Sequence, residues 1–256
     1  SNTAVLYGGL QYDLEDVAMV EEAKKYDLSD LLAWRGEIAR GDSLFHYLQG
    51  TKEEILKIEN ILKDNKWQVS SYMGKNGTEE SFLNMHGKSP ELLHLATHGF
   101  YYTPNRAENI DYLKGYTDAM SLSGLVLSGG NAAWLGKQLP KGVLGGIMTA
   151  NDISRLDLSN TDMVVLSACK TGQGKATSEG LYGLQRAFKK AGVGTIVMSL
   201  WSVSDKTTSE FMTIFYERFA DKYNNWNKRK AFEEAKEIIR KEHPDPFHWA
   251  AFVMLD

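Results

Sequence analysis

Two side chains in this sequence could do covalent chemistry together. His98 stands in "LLHLATHGF" (92–100), at the end of an apolar run, and Cys169, the one cysteine of the chain, stands in "MVVLSACKTGQG" (163–174), at the end of another. A thiolate attacks carbonyl carbon, and an imidazole within reach takes the thiol proton or stabilises the anion. Gly99 has a place in such a pair. Lacking a Cβ, it lets a carbonyl approach and presents its backbone N–H, which together with the N–H of Cys169 could hold a developing oxyanion.

The remaining pattern supplies elements to position these groups. Strands are expected at "AVLYGGLQYD" (4–13, ending in a Gly8-Gly9 turn), 67–74, "ELLHLATHG" (91–99), 122–130, "DMVVLSAC" (162–169), "GTIVMSLW" (194–201) and "HWAAFVML" (248–255). Helices are expected at "TKEEILKIENILK" (51–63), with a Thr51/Glu54 capping box and an Ile55, Ile58, Leu62 stripe, and after Thr78. Further helices start at Asn151 or Asp152, at Ser178 and at Ser204 or Asp205, and one spans 228–240. Residues 100–122 and 134–146 read as long loops. Strands alternating with helices, the strands apolar almost throughout, predict an α/β fold: a mostly parallel sheet with helices on both faces, in three layers. Such sheets place ligands beyond the carboxyl ends of their strands. His98 and Cys169 both lie at those ends. The length of 256 residues allows one large domain, taken as 1–256, in which 14–44 reads as an insertion.

Composition narrows the function. The net charge is −4 and the longest basic stretch is "NKRK" (227–230), which argues against nucleic acid as the main partner. No apolar run reaches the ~20 residues of a membrane span. A lone thiol makes no internal disulfide and suits a reducing, cytoplasmic setting. A single cysteine at a strand end is more often a small buried hydrophobe than a nucleophile. A lone histidine there reads equally as a core residue bonded to a carbonyl, and the adjoining glycine and the matching edge weigh against that reading for His98. His94 and His98 on one strand stand about 13 Å apart at ~3.3 Å per residue, too far to share a metal, so His94 reads as structural. "KTGQGKATSEG" (170–180) follows a strand and precedes a helix, but its glycine spacing and Ala176 break the phosphate-loop pattern. No cofactor or metal is called for.

Several blocks in order resemble the CHAT domain, a caspase-like cysteine peptidase family related to separase and often fused to tetratricopeptide repeats: "LYGGLQYD", "ATHGF", "GIMTANDISRLDLSNTDMVVLSACKTGQG", "SEGLYGLQRAFKKAGVGTIVMSLWSVSD" and "HPDPFHWAAFVML". Histidine preceding cysteine also fits caspases better than papain, where cysteine comes first. The resemblance implies an endopeptidase with His98 as base and Cys169 as nucleophile. It also implies that Ser199 to Val203, including Trp201 and Ser202, runs along the substrate, with Asp205 facing the pocket for a basic residue before the cut. Asp205 equally suits a helix N-cap, and the two roles are compatible. A protein or peptide is the expected substrate, with a tetratricopeptide domain or an activating protein as regulator. Lys137 and Lys141 are candidate self-cleavage points. A catalytically silent scaffold of the same fold is the alternative.

Overall fold

The computed structural model describes residues 2–29, 31, 41, 44–102, 120–167, 178–221 and 225–256; the side chains of 178–181 and 205 lie outside that description. Strands are β1 (Thr3–Leu10), β2 (Gln68–Gly74), β3 (Leu92–Leu95), β4 (Gly99–Tyr101), β5 (Ser123–Val126), β6 (Ile147–Thr149), β7 (Met163–Leu166), β8 (Thr195–Ser199) and β9 (Phe252–Leu255). Helices are α1 (Asp16–Ala23), α2 (Thr51–Asp64), α3 (Glu79–Leu83), α4 (Gly130–Trp134), α5 (Ala150–Ile153), α6 (Ser178–Lys190), α7 (Asp205–Ala220), α8 (Lys228–Glu242) and α9 (Pro246–Trp249).

The main sheet runs β2-β1-β3-β7-β8-β9. Its first five strands are parallel and β9 closes the edge antiparallel to β8. A smaller antiparallel sheet, β4-β5-β6, stands beside it. The apolar strands are explained by cover on both faces. Leu93, Leu95, Val164, Leu166 and Ile196 face a core shared with α3, α6 and the small sheet. Leu92, Ala96, Val165 and Val197 face the other, which holds Ile55, Ile58 and Leu62 of α2 with Phe211, Phe215 and Ile239 of α7 and α8. The α/β fold expected from the sequence is the one found.

Four local expectations are corrected. β1 does not turn at Gly8-Gly9 but runs through them; a Cβ on Gly8 would lie 2.7 Å from the Thr51 carbonyl, so the glycine admits α2 against the strand. Thr51 and Glu54 form no capping box. The N-cap of α2 is Gly50 at φ +93°; Thr51 Oγ1 donates to Leu48 O and accepts from Gly9 N, and Glu54 turns into the interior. α5 is capped by Thr149, in a capping box with Asp152, and starts at Ala150, one residue before the earlier of the two expected starts. The terminal strand is shorter than 248–255: Asp245 caps a helical turn, and pairing begins only at Phe252.

The apolar run expected as one strand through His98 is split. β3 stops at Leu95, the chain crosses at 96–98, and Gly99 enters β4 of the small sheet opposite Leu125. Gly124, next to Leu125, is packed so closely that a Cβ there would lie 2.1 Å from Met148 O and 2.6 Å from the Phe100 ring. Gly124→Ala should therefore destabilise the domain by at least ~2 kcal/mol, read as a lowered urea midpoint, whereas Gly142→Ala, where a Cβ meets open space but φ is +81°, should cost about half as much.

Candidate active site

The site is built on the pairing of β3 with β7. Leu95 lies opposite Leu166, and the Ser167 N–H donates to Leu95 O at 3.1 Å, so the ladder continues past both strand ends. His98 lies three residues beyond Leu95 and Cys169 three beyond Leu166. Cys169 itself falls outside the described residues, the last of them after β7 being Ser167.

His98 is held from every side. Its carbonyl accepts from Val126 N at 2.9 Å, tying it to the small sheet, and Ala96 N donates to Tyr7 O at 2.8 Å, tying the preceding residues to the large one. The Thr97 hydroxyl donates to Val126 O and bonds to Tyr12 Oη at 2.9 Å. The imidazole, 6% exposed, lies between Tyr12 and Phe45, with ring centroids 4.9 and 5.2 Å away. Nε2 lies 2.7 Å from the His46 carbonyl. A carbonyl only accepts, so Nε2 carries a proton, and in the neutral ring Nδ1 holds the lone pair that can take another. Tyr12 sits in an environment hostile to charge: burial pushes its hydroxyl up to about 12, although bonds from Thr97 and from the His98 backbone oppose the shift.

Within β3 itself, His94 is fully buried on the face covered by α2 and α7, where it is structural, as expected. Its Nε2 lies 2.9 Å from Glu54 Oε1 and its Nδ1 2.9 Å from Tyr216 Oη. The Ser167 hydroxyl donates to the same Glu54 oxygen. Glu54 thus ties α2 to β3 and to the segment leading toward Cys169, and α7 joins through Tyr216. Burial, with the Glu54 charge adding to it, holds Tyr216 well above the ordinary tyrosine range.

The expected substrate-side residues lie at and beyond the end of β8, the strand next to β7. Ser199 is the last residue of β8, buried and paired with Phe252. Trp201 is half-buried; its Nε1 donates to Phe247 O at 2.9 Å and its ring stands 6.2 Å from that of Phe247. Ser202 is exposed. Asp205 is the first residue of α7 and its side chain lies outside the described set; the cap is Ser204, whose Oγ accepts from Thr207 N at 3.2 Å. Gly99 is buried at the start of β4. Sequence reasoning missed Tyr12, Phe45, His46 and Glu54. Phe45 and His46 follow a stretch with no periodicity, and Glu54 carried a capping signature that the fold uses otherwise. Among the described residues, Glu210, Glu242 and His243 bring ligand-type atoms within 4.8 Å of one another. No described helix is long and apolar enough to cross a membrane.

The profile of the CHAT domain matches residues 30–256. The chain belongs to the CHAT family. It is 31% identical over 111 residues to tetratricopeptide repeat protein 28 of Mus musculus and 30% identical over 111 to that of Homo sapiens. Each match spans 43% of this chain and 4% of the relative, so this CHAT domain corresponds to a small part of those proteins. Among solved structures, the Arg specific cysteine proteinase gingipain R superposes with a TM-score of 0.53 at 10% identity, over 98% of this chain and 45% of that one. The complex of Porphyromonas gingivalis RgpB pro- and mature domains also gives 0.53 at 10% identity, over 99% and 46%. These likenesses show a caspase-like fold.

Two outcomes follow from the packing. Between pH 10 and about 12 an unfolded tyrosine ionises while Tyr12 in the folded protein stays protonated. The folded state then binds more protons, so the Tyr12 contribution is present below pH 10 and is lost as pH rises. Tyr12→Phe should flatten the alkaline fall of stability by about one proton's slope in urea titrations from pH 9 to 12. His94→Leu leaves the Glu54 carboxylate buried without its ring donor and should cost roughly 2–4 kcal/mol in the same assay.

Proposed function

We propose that this CHAT domain is a cysteine endopeptidase. Cys169 Sγ attacks the scissile carbonyl carbon, forming the S–C bond. His98 takes the thiol proton at Nδ1 and gives it to the departing amine as the C–N bond breaks. Water, deprotonated by the same imidazole, then hydrolyses the thioester and regenerates the thiol. The N–H groups of Gly99 and Cys169 face the oxyanion. The observation that carries this reading is the β3–β7 register, which starts two equal three-residue paths from directly paired leucines. The bond of His98 Nε2 to the His46 carbonyl supports it by leaving Nδ1 as the basic nitrogen.

A basic residue before the cut fits an acidic group at 205 on the strand-to-helix connection after β8, beside Ser199, Trp201 and Ser202. The Arg specific cysteine proteinase gingipain R, which shares this fold, agrees in sign. The relatives' name supports a tetratricopeptide-repeat partner or fused domain as the regulator of a cytoplasmic peptidase.

Peptide-library cleavage by the purified protein tests the reading. Cys169→Ala should abolish cleavage, and Asp205→Asn should lower kcat/KM for Arg and Lys peptides by roughly ten- to a hundredfold. Iodoacetamide should alkylate Cys169 rapidly below pH 7 in the native protein, whereas His98→Asn should need a pH near the ~8.5 of a free thiol. Cleavage that survives Cys169→Ala would refute the mechanism. Alkylation with the pH profile of a free thiol, and no cleavage, would leave the silent scaffold as the function.

A further inference from the structure

The bond that sets the His98 tautomer comes from a segment without secondary structure. His46 belongs to residues 44–48, which precede α2 and have no strand or helix to hold them. A carbonyl on such a segment orients an imidazole only if something fixes its backbone. Thr51 Oγ1 holds the far end of the segment at Leu48 O, and beside His46 the backbone is held by the side chain of Asn131.

Asn131, 1% exposed, is in α4, behind the segment. Its Oδ1 accepts from Phe45 N at 2.8 Å and its Nδ2 donates to Phe45 O at 3.0 Å. The amide therefore grips both backbone groups of one residue as a neighbouring strand would, and only one orientation of the amide satisfies both bonds. The backbone N–H of Asn131 donates to Tyr12 O at 3.1 Å. One residue thus holds both aromatic residues that flank the His98 ring. Two contacts reinforce the attachment: Gly41 N donates to Trp134 O at 2.9 Å, and the Phe45 and Trp134 rings stand 4.8 Å apart. The two Asn131–Phe45 bonds are buried, where an amide pair is stronger than in water and a broken one costlier.

We infer that Asn131 is a positioning residue: through Phe45 it places the His46 carbonyl so that His98 is protonated at Nε2 and presents Nδ1 to the nucleophile. This rests on the dyad proposed above. The residue touches neither substrate nor thiol; its effect passes through backbone geometry to the imidazole.

Asn131→Asp is the discriminating variant. It keeps size and the Oδ1 acceptor but replaces the Nδ2 donor with an oxygen facing the Phe45 carbonyl. Its urea midpoint reports whether it folds, and Asn131→Ser, which removes the grip without adding charge, is the second variant. The direct readout is the His98 ring in ¹⁵N-labelled protein at pH 8, by long-range ¹H–¹⁵N correlation, assigned by its loss in His98→Ala. The native protein should show the Nε2–H form. Both variants should show a mixture of tautomers, and kcat on a basic peptide should fall by about 10²-fold with KM little changed, the scale expected of a small misplacement. Folded variants that keep the native Nε2–H signal would overturn the inference. If native protein neither cleaves peptides nor shows an activated thiol, the dyad reading fails, while the tautomer measurement still decides what Asn131 does.

Discussion

The structure depends on one pairing, β3 against β7 with Leu95 opposite Leu166. Strands 71 residues or so apart in sequence are brought side by side, in parallel, at the centre of a sheet buried on both faces. A one-residue slip would move Leu93 and Leu95 to the face of His94 and Ala96, so the two apolar layers hold the register firmly. Because the strands are parallel and end together, whatever follows them emerges at one rim. The arrangement needs no contact between the two chemical residues in order to form.

Different devices occupy the two faces at that rim. Beneath the sheet, Glu54 joins His94, Tyr216 and Ser167 in a satisfied buried network. Above it, the crossing at 96–98 is bonded to both sheets at once, and His98 is fixed by Tyr12, Phe45 and the His46 carbonyl. Imidazole chemistry depends on which nitrogen is protonated, and the fold settles that with a backbone carbonyl where other sites use a carboxylate. A neutral acceptor orients the ring without a second buried charge, whose desolvation would have to be offset.

Much of this was legible in the sequence. The helices of 51–63 and 228–240 and the apolar strands announced themselves, because both cores enforce a regular pattern. His98 stood out because a reactive side chain ended such a strand. The family resemblance rested on blocks spread along the chain, and the profile match bears it out. The missed features are non-local. That 92–101 splits between two sheets depends on Leu125 and Val126, which supply its new partners. The grip of Asn131 on Phe45 joins two segments that look like turn and linker. Glu54 satisfied a capping pattern, but the neighbouring Gly50 took the cap and the deeper partners His94 and Ser167 took the carboxylate. At the C-terminus the strand is shorter than the apolar run from 248, because Asp245 and Pro246 start a helical turn and pairing begins only at Phe252.

The central claim is that sulfur and imidazole meet above the β3–β7 rim. A crystal structure of the protein after reaction with an arginyl chloromethyl ketone measures this directly. The account predicts Cys169 Sγ bonded to the inhibitor and His98 Nδ1 within about 4 Å of it, with Nε2 still on the His46 carbonyl. An unmodified thiol pointing beneath the sheet, or an imidazole whose Nδ1 faces away, would contradict it.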